Sequence, residues 1–454
     1  MHEVVVGANA KEVTMGNTKE IWVSKFGGTS LANARQIGKV KDIVFADERR
    51  KVVVVSAPGK EHKEDTKITD LLLNCHKLVE KGESIEQPFS IIRKRILEIA
   101  QTLQVGVHME AELDAIAERL PQEKTADYAG SRGEYLNALM IAEFFDATFV
   151  DAEQIIRLTA DGRVDEQTYA IASEVLKSIE GRIVIPGFYG RGPDGGIQTF
   201  SRGGSDITGA IAARAADADI YENWTDVSGI YIADPRIAQK AGPIAQITYR
   251  EIRELATIGA SVFHEDAIAP VRTVGIPINV KNTNDPEAPG TMITAERDSA
   301  KAHLVGVSGK KPYRKLVVEK FMLDRYPETT QSLHALIARK KLVCDVVIDA
   351  FDTIVMYLSS EMDDTEAVAL QREIIGALDI DSCQISEQLV LLGIVGEGMA
   401  REPKLLETVC RTLGALDIHP AIVSGNMPIK MLLSVPLGSY AVAVNAIVDT
   451  IVSA

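Results

Sequence analysis

Four consecutive valines, Val52 to Val55, break an otherwise mixed apolar–polar pattern early in the chain. A continuous β-branched run of this kind is what a strand buried on both faces requires. It ends in the turn Ser56-Ala57-Pro58-Gly59. The apolar run Ile21 to Val23 precedes it, and Ala147 to Val150, Ile183 to Ile185 and Ala218 to Tyr221 read as further strands. Helical patterns cover Leu31 to Val44, Thr69 to Lys81, Ser84 to Leu103, Met109 to Leu120 and the small-residue stretch Ile207 to Ala216. Strands separated by helices imply right-handed crossovers and a largely parallel sheet. Pro277 to Asn282 reads as the last strand of this lobe, running into the turn Asn284-Asp285-Pro286.

After Pro289-Gly290 the pattern changes. Leu316 to Met322 reads as a strand, Thr329 to Ala338 as a helix, Val343 to Leu358 as a strand pair broken at Asp349-Ala350-Phe351-Asp352, and Thr365 to Leu378 as a second helix. The order recurs as Gln388 to Val395, Glu402 to Leu413, Ala421 to Val435 and Ser439 to Val452. Two strand–helix–strand–strand–helix units form an internal repeat of two small ferredoxin-like modules. The expected organisation is an extension over residues 1–20, an α/β lobe over 21–300, and modules over 313–385 and 386–454.

Composition narrows the class without choosing it. The 454 residues suffice for several buried cores. With 64 Asp and Glu against 49 Lys and Arg the net charge is −15, which argues against a nucleic-acid surface. It also makes any locally concentrated cations conspicuous. Cys75, Cys344, Cys383 and Cys410 have no paired metal spacing and read as buried thiols in a reducing compartment. No apolar run has membrane-spanning length, and the N-terminus lacks secretory-signal character, so a cytoplasmic protein is expected.

The chemistry concentrates in polar, glycine-punctuated turns. Lys25-Phe26-Gly27-Gly28-Thr29-Ser30 follows the first strand: glycines let backbone approach an anion, and lysine supplies a full charge. Thr199 to Asp206, TFSRGGSD, opens another helix on a second glycine pair. Ser131-Arg132-Gly133-Glu134 reads as a polar turn opening a helix. Trp224-Thr225-Asp226-Val227-Ser228-Gly229-Ile230-Tyr231 and Asp234-Pro235-Arg236 follow. Such loops gathered at the carboxyl ends of parallel strands are where open α/β sheets bind ligands.

KFGGTS, SRGE, FSRGGSD and TDVSGIYIADPR, in this order, resemble the aspartate kinases of the amino acid kinase family. The C-terminal repeat resembles their paired ACT regulatory domains, which are often interwoven. The resemblance implies a three-layer α/β sandwich with a mostly parallel sheet, followed by two ACT domains. It implies ATP-dependent phosphorylation of the L-aspartate side chain, with Mg²⁺ bound mainly through ATP and no dedicated protein metal site. Lys25 and Asp206 are the implied catalytic pair, with a helix-capping role equally open for Asp206. Thr69, Glu134, Arg202 and Ser205 are the implied aspartate ligands: Arg202 for the α-carboxylate, Glu134 for the ammonium, Thr69 and Ser205 for the side-chain carboxylate. Lys25, Gly27, Gly28, Ser30, Gly203, Gly204, Thr225, Asp226, Tyr231, Asp234 and Arg236 are implied for ATP. Arg236 is expected to stand as an isolated cation beside the phosphates.

The structural alternatives are plain ones: Glu134 as a first-turn acid, Thr69 as a helix cap, Tyr231 as core. One departure from the family pattern is Ser261, which stands where a lysine is usual, and His264 then reads as structural. Gly396-Glu397-Gly398-Met399 resembles the ligand-binding turn of an ACT unit, with lysine and/or threonine as the implied regulators. A homodimer through these modules is expected. The competing readings are a kinase for glutamate or N-acetylglutamate and a catalytically silent amino-acid sensor.

Overall fold

The computed structural model describes residues 20–105, 108–201, 203–260, 263, 265–300, 302–359, 361–424 and 429–452. The expected extension over residues 1–19, together with Arg202, Ser261 and His264, lies outside the described residues. The chain divides into two compact units at Trp224/Thr225.

The first unit runs β1 (Trp22–Phe26), α1 (Ala34–Phe45), β2 (Arg50–Val55), α2 (Ile68–Glu80), α3 (Glu86–Leu103), α4 (Met109–Arg119), α5 (Ala126–Phe145), β3 (Thr148–Phe149), α6 (Ala152–Ile155), α7 (Gln167–Ser178), β4 (Ile183–Pro186), β5 (Tyr189–Arg191), β6 (Ile197–Thr199), α8 (Gly204–Ala215) and β7 (Ile220–Thr225). Its main sheet has the order β3-β4-β2-β1-β7, every neighbouring pair parallel. The valine run is the heart of β2, and Val52 to Val55 are all buried. Strand alternation sends Phe26, Val53, Val55 and Trp224 into one core with α1 to α5. The opposite face of β1 and β2 packs on α8. Helices therefore cover both faces, as a parallel sheet demands.

The central strand pair also carries a buried polar network. Glu222, 1% exposed, accepts from Ser24 Oγ at 2.7 Å, Arg50 Nε at 2.8 Å, Arg50 Nη2 at 3.0 Å and Trp224 Nε1 at 3.1 Å. Four donors on one carboxylate offset its desolvation and lock β7 beside β1 and β2 in register.

The second unit runs β8 (Gln246–Thr248), α9 (Tyr249–Thr257), α10 (Ile268–Arg272), β9 (Ile278–Asn282), β10 (Thr291–Thr294), β11 (Gly306–Glu319), α11 (Pro327–Arg339), β12 (Val343–Asp349), β13 (Thr353–Ser359), α12 (Asp364–Ala377), β14 (Ser382–Ile385), β15 (Leu389–Val395), α13 (Leu405–Gly414), β16 (Ala421–Ser424), β17 (Lys430–Pro436) and α14 (Tyr440–Val452). The lobe does not end at β9 as expected. β10 returns antiparallel to β9 and pairs parallel with β8.

The repeat forms one antiparallel sheet of order β12-β13-β11-β15-β17-β16, with β14 also on β11. The expected strand over 316–322 is the end of a longer one. Gly306 to Lys310 of β11 pair with β15, and Tyr313 to Glu319 pair with β13. The first repeat is thus inserted into the second along a shared strand. Each keeps its own core: Leu316, Leu333, Met356 and Ile374 lie in one, Val390, Leu413, Leu433 and Ile447 in the other. Ala233, Ala238 and Ala241, from the stretch after β7, belong to that second core.

The glycine turn of the second repeat is occupied by the chain itself. A Cβ on Gly396 would lie 2.2 Å from the His303 carbonyl oxygen, and one on Gly398 2.4 Å from the His303 Cα. The Glu397 amide donates to Glu251 Oε1 at 2.7 Å. Glu251, fully buried, caps α9 through Thr248 and takes Arg297 Nε at 2.8 Å and Nη2 at 2.6 Å. Removing one partner of a buried ion pair strands the other charge, so Arg297→Met should lower unfolding free energy by roughly 3–5 kcal/mol. The double variant Glu251→Leu/Arg297→Met should recover much of that loss in urea titrations.

Candidate active site

β1, β2, β4 and β7 point their carboxyl ends to one edge, and the turns that follow them interlock by main-chain hydrogen bonds. Ser56 N–H donates to the Phe26 oxygen at 3.2 Å, Gly59 N–H to Gly28 at 2.9 Å, Gly187 N–H to Val55 at 2.9 Å and Gly27 N–H to Trp224 at 3.0 Å. Glycine is required where these turns touch. A Cβ on Gly59 would fall 2.5 Å from the Gly28 carbonyl, and one on Gly187 2.5 Å from Ser205 Oγ. The Gly27 amide is therefore spent on the fold. The Gly28 oxygen is likewise spent, on the Gly59 amide. Ser30, buried in a short 3-10 turn, donates its own amide to the Gly27 oxygen at 3.0 Å.

Lys25 lies at this edge, 8% exposed, with Nζ 2.5 Å from Asp206 Oδ1. Asp206 is the third residue of α8, and its carboxylate is not the helix cap. The cap position belongs to Gly203, whose φ of +60° lies in the left-handed region that glycine tolerates, and no side chain caps this helix. The start of α8 thus has no side-chain cap, and its dipole favours an anion there. Gly204 packs close, since a Cβ there would meet Phe188 at 2.6 Å. Phe188 itself holds φ +82° without being glycine, a strained backbone at the turn after β4. Ser205 is buried beside it. Asn223, not anticipated from the sequence, donates Nδ2 to Asp206 Oδ1 at 2.8 Å. A polar pair, Glu222-Asn223, inside a central buried strand was the available signal.

The Ser131-Arg132-Gly133-Glu134 segment is not a turn. It lies within α5, and Glu134 is the ninth helical residue, far from the first turn. Gly133 is there because a Cβ would sit 2.8 Å from Ala57 Cβ, so the helix crosses the turn after β2 at close range. Arg132 is buried over the rings of Tyr128, Tyr135 and Tyr189, at 4.8, 4.4 and 5.2 Å from their centroids. Glu134 is 6% exposed, and its Oε2 has no hydrogen-bond partner among the described residues. Burial pushes its carboxyl up to about 8, with the Ala57 amide and Arg132 pulling weakly the other way. A buried carboxyl with an unsatisfied oxygen is prepared for a cationic partner. Thr69, half-buried, is the second residue of α2, whose cap position is held by Lys67.

The remaining expected nucleotide residues belong to the second unit. Thr225 ends β7, and Asp226 follows it with a carboxylate 3.3 Å from the Thr225 hydroxyl. Tyr231 is half-buried and bridges to Pro243. Arg236 is not an isolated cation: Nε and Nη2 bind both Asp234 oxygens, at 3.0, 3.1 and 2.7 Å. Cys75 and Cys383 are buried free thiols, whereas Cys344 and Cys410 are only half-buried. Among the described residues no cluster of three His, Cys, Asp or Glu could hold a metal, and no helix is long and apolar enough to cross a membrane.

Residues 20–282 match the model of the amino acid kinase family. Aspartokinase 3 of Bacillus subtilis (strain 168) is 32% identical over 94% of this chain and 97% of its own length. The crystal structure of Clostridium acetobutylicum aspartate kinase superposes with a TM-score of 0.88 at 35% identity, covering 95% of this chain and 100% of that one. E. coli aspartokinase III is 25% identical. Its complex with aspartate and ADP has a TM-score of 0.73 over 94% of this chain and 98% of that one, and its complex with lysine and aspartate 0.76 over 95% and 99%.

Glu134 offers a direct test of the site's electrostatics. A ¹³C-carboxyl resonance titrating near pH 8, and missing from Glu134→Gln, is the expected result. The folded chain holds this proton more tightly than the unfolded one, so the site's contribution to stability falls as pH rises from about 4.5 to about 8. Relative to Glu134→Gln, the wild-type melting temperature should decline across that interval.

Proposed function

This chain belongs to the amino acid kinase family, and from that membership we propose that it is an aspartate kinase, transferring the terminal phosphoryl group of ATP to the side-chain carboxylate of L-aspartate. The product is 4-phospho-L-aspartate, the first step toward lysine, threonine and methionine. The observation that carries this reading is the Lys25–Asp206 pair, buried where the β1 turn meets the uncapped start of α8.

In the reaction a carboxylate oxygen of aspartate attacks the γ-phosphorus as the bond to the β,γ-bridging oxygen breaks, and ADP leaves with that electron pair. The step needs two anions brought together and little covalent help from the protein. Lys25, with the amides of Gly28, Gly203 and Gly204, stabilises charge on the transferring phosphoryl oxygens. Gly27 and Ser30 shape that cradle through their main-chain bonds. Arg202 takes the α-carboxylate with its forked guanidinium. Glu134 takes the ammonium, and Thr69 and Ser205 hold the reacting carboxylate.

Thr225, Asp226, Tyr231 and Asp234 are the residues we assign to the nucleotide, and Arg236 acts by bracing Asp234. Mg²⁺ fits as an ion carried by ATP, since Asp206 is a carboxylate at the strand edge beside Lys25 and one carboxylate is enough to orient a hydrated cation. The ion would neutralise charge on the β- and γ-phosphates. A kinase that draws on ATP, with four free thiols, suits the cytoplasm.

Regulation is assigned to the first repeat. A cavity of about 690 Å³ there is lined by Asp324, Asp349, Phe351 and Ile354. Two acids beside apolar surface suit lysine better than threonine. The β12 edge of the sheet exposes Val343, Val347 and Ile348, and a homodimer pairs through it.

Hydroxylamine trapping with ATP and Mg²⁺ should yield aspartyl hydroxamate and no product from glutamate or N-acetylglutamate. The absence of any product would leave a silent sensor. Lys25→Ala should lower kcat by roughly 100- to 1,000-fold without loss of folding, and Arg202→Lys should raise the aspartate KM far more than the ATP KM. Lysine should inhibit the wild type, and Asp349→Asn should weaken that inhibition while leaving basal kcat intact.

A further inference from the structure

Asn223 and Lys25 stand opposite each other in the β1–β7 register, on the face that meets α8. Asn223 is 4% exposed. Its Nδ2 donates at 2.8 Å to Asp206 Oδ1, the same oxygen that Lys25 Nζ meets at 2.5 Å. Both donors therefore converge on one carboxylate oxygen. The Tyr221 hydroxyl donates to the Asp206 main-chain oxygen at 3.0 Å and fixes the residue from behind. Lys25, Asp206 and Tyr221 are the titratable groups that meet this cluster among the described residues.

We infer that Asn223 is a positioning residue for phosphoryl transfer, setting the rotation of the Asp206 carboxylate so that Lys25 is held by a single oxygen. The inference rests on the kinase reading, which gives Lys25 to the transferring phosphate. The chemistry follows from the donor count. A carboxylate free to turn would grip the ammonium with both oxygens, deepening a buried ion pair that a phosphate must then break. The amide occupies Oδ1 together with the lysine, and it does so without adding charge. An ammonium has three N–H donors, so one held by a single oxygen can offer the other two to phosphate oxygens. Asn223 touches no substrate in this scheme and acts wholly through Asp206.

Two variants and two readouts test it. Asn223→Leu should lower kcat by roughly 10- to 100-fold, the scale of a misplaced catalytic group, with aspartate KM changed less than about twofold. Asn223→Asp is nearly isosteric and keeps the fold. Protonated, it donates as the amide does. Ionised, it repels Asp206 and draws Lys25 away. Like charges raise its carboxyl pKa, so its kcat should approach wild type at acid pH and fall as pH rises, a limb absent from wild type. The second readout needs no turnover: a crystal structure of Asn223→Leu should show the Asp206 carboxylate turned so that both of its oxygens meet Lys25 Nζ. Wild-type kcat in Asn223→Leu, a pH-independent loss in Asn223→Asp, or an unturned Asp206 carboxylate in the Asn223→Leu structure would overturn the assignment. If the wild-type chain makes no hydroxamate while the Asn223→Leu structure shows the turned carboxylate, the kinase reading fails and only the positioning of Asp206 by Asn223 stands.

Discussion

A lysine ammonium and an aspartate carboxylate meet at 2.5 Å in a place where water hardly reaches, and much of the first unit exists to make that meeting possible. Two unlike charges this buried are tolerated only when their geometry is fixed and their remaining bonds are satisfied. The fixing comes from three directions. β1 brings Lys25 to the sheet edge, α8 presents Asp206 in its first turn, and β7 supplies Asn223 between them. None of these elements could be shifted by one residue, because a one-residue slip in a strand turns every side chain to the wrong face.

That constraint explains the second buried charge cluster on the opposite face of the same strands. Ser24 and Glu222 are the immediate neighbours of Lys25 and Asn223, and alternation sends them to the other side. There Glu222 collects Ser24, Arg50 and Trp224, tying three strands by side chains as well as by main-chain ladders. An aliphatic residue at Glu222 would bury as well but would specify less. The polar knot allows one register among several of similar hydrophobicity, a role attested for buried polar groups elsewhere. The phosphate cradle on one face and the polar knot on the other are two expressions of one strand alignment.

How far the sequence discloses this depends on whether a residue's reason is local. The valine run of β2 and the strand pair broken at Asp349 to Asp352 have local reasons, periodicity and turn chemistry, and both are legible. The Lys25 and Asp206 turns could be paired only through the family likeness, since nothing in spacing brings residues 181 positions apart together. The Ser131 to Glu134 segment misleads for the opposite reason. Its glycine looks like a turn signal, yet it serves close packing of a helix on Ala57, a demand that only the tertiary structure makes. β11 is foreshortened in the sequence because glycine, lysine and proline at residues 309–312 read as a break, whereas the sheet absorbs them at an irregularity in register. β14, four residues with two polar ones, is too short for periodicity to register. Arg236 seems free until its partner two positions upstream is seen to hold it.

The strand common to both repeats also bears on how this gene could be divided. Translation begun at an internal start codon past Lys310 would still deliver every strand of the first repeat's sheet. The other repeat would lack a central member, and β15 would offer an open row of amides and carbonyls to any passing chain. A free-standing regulatory polypeptide cut from this reading frame must therefore begin ahead of Gly306, and a split placed a few codons later would make an aggregation-prone product.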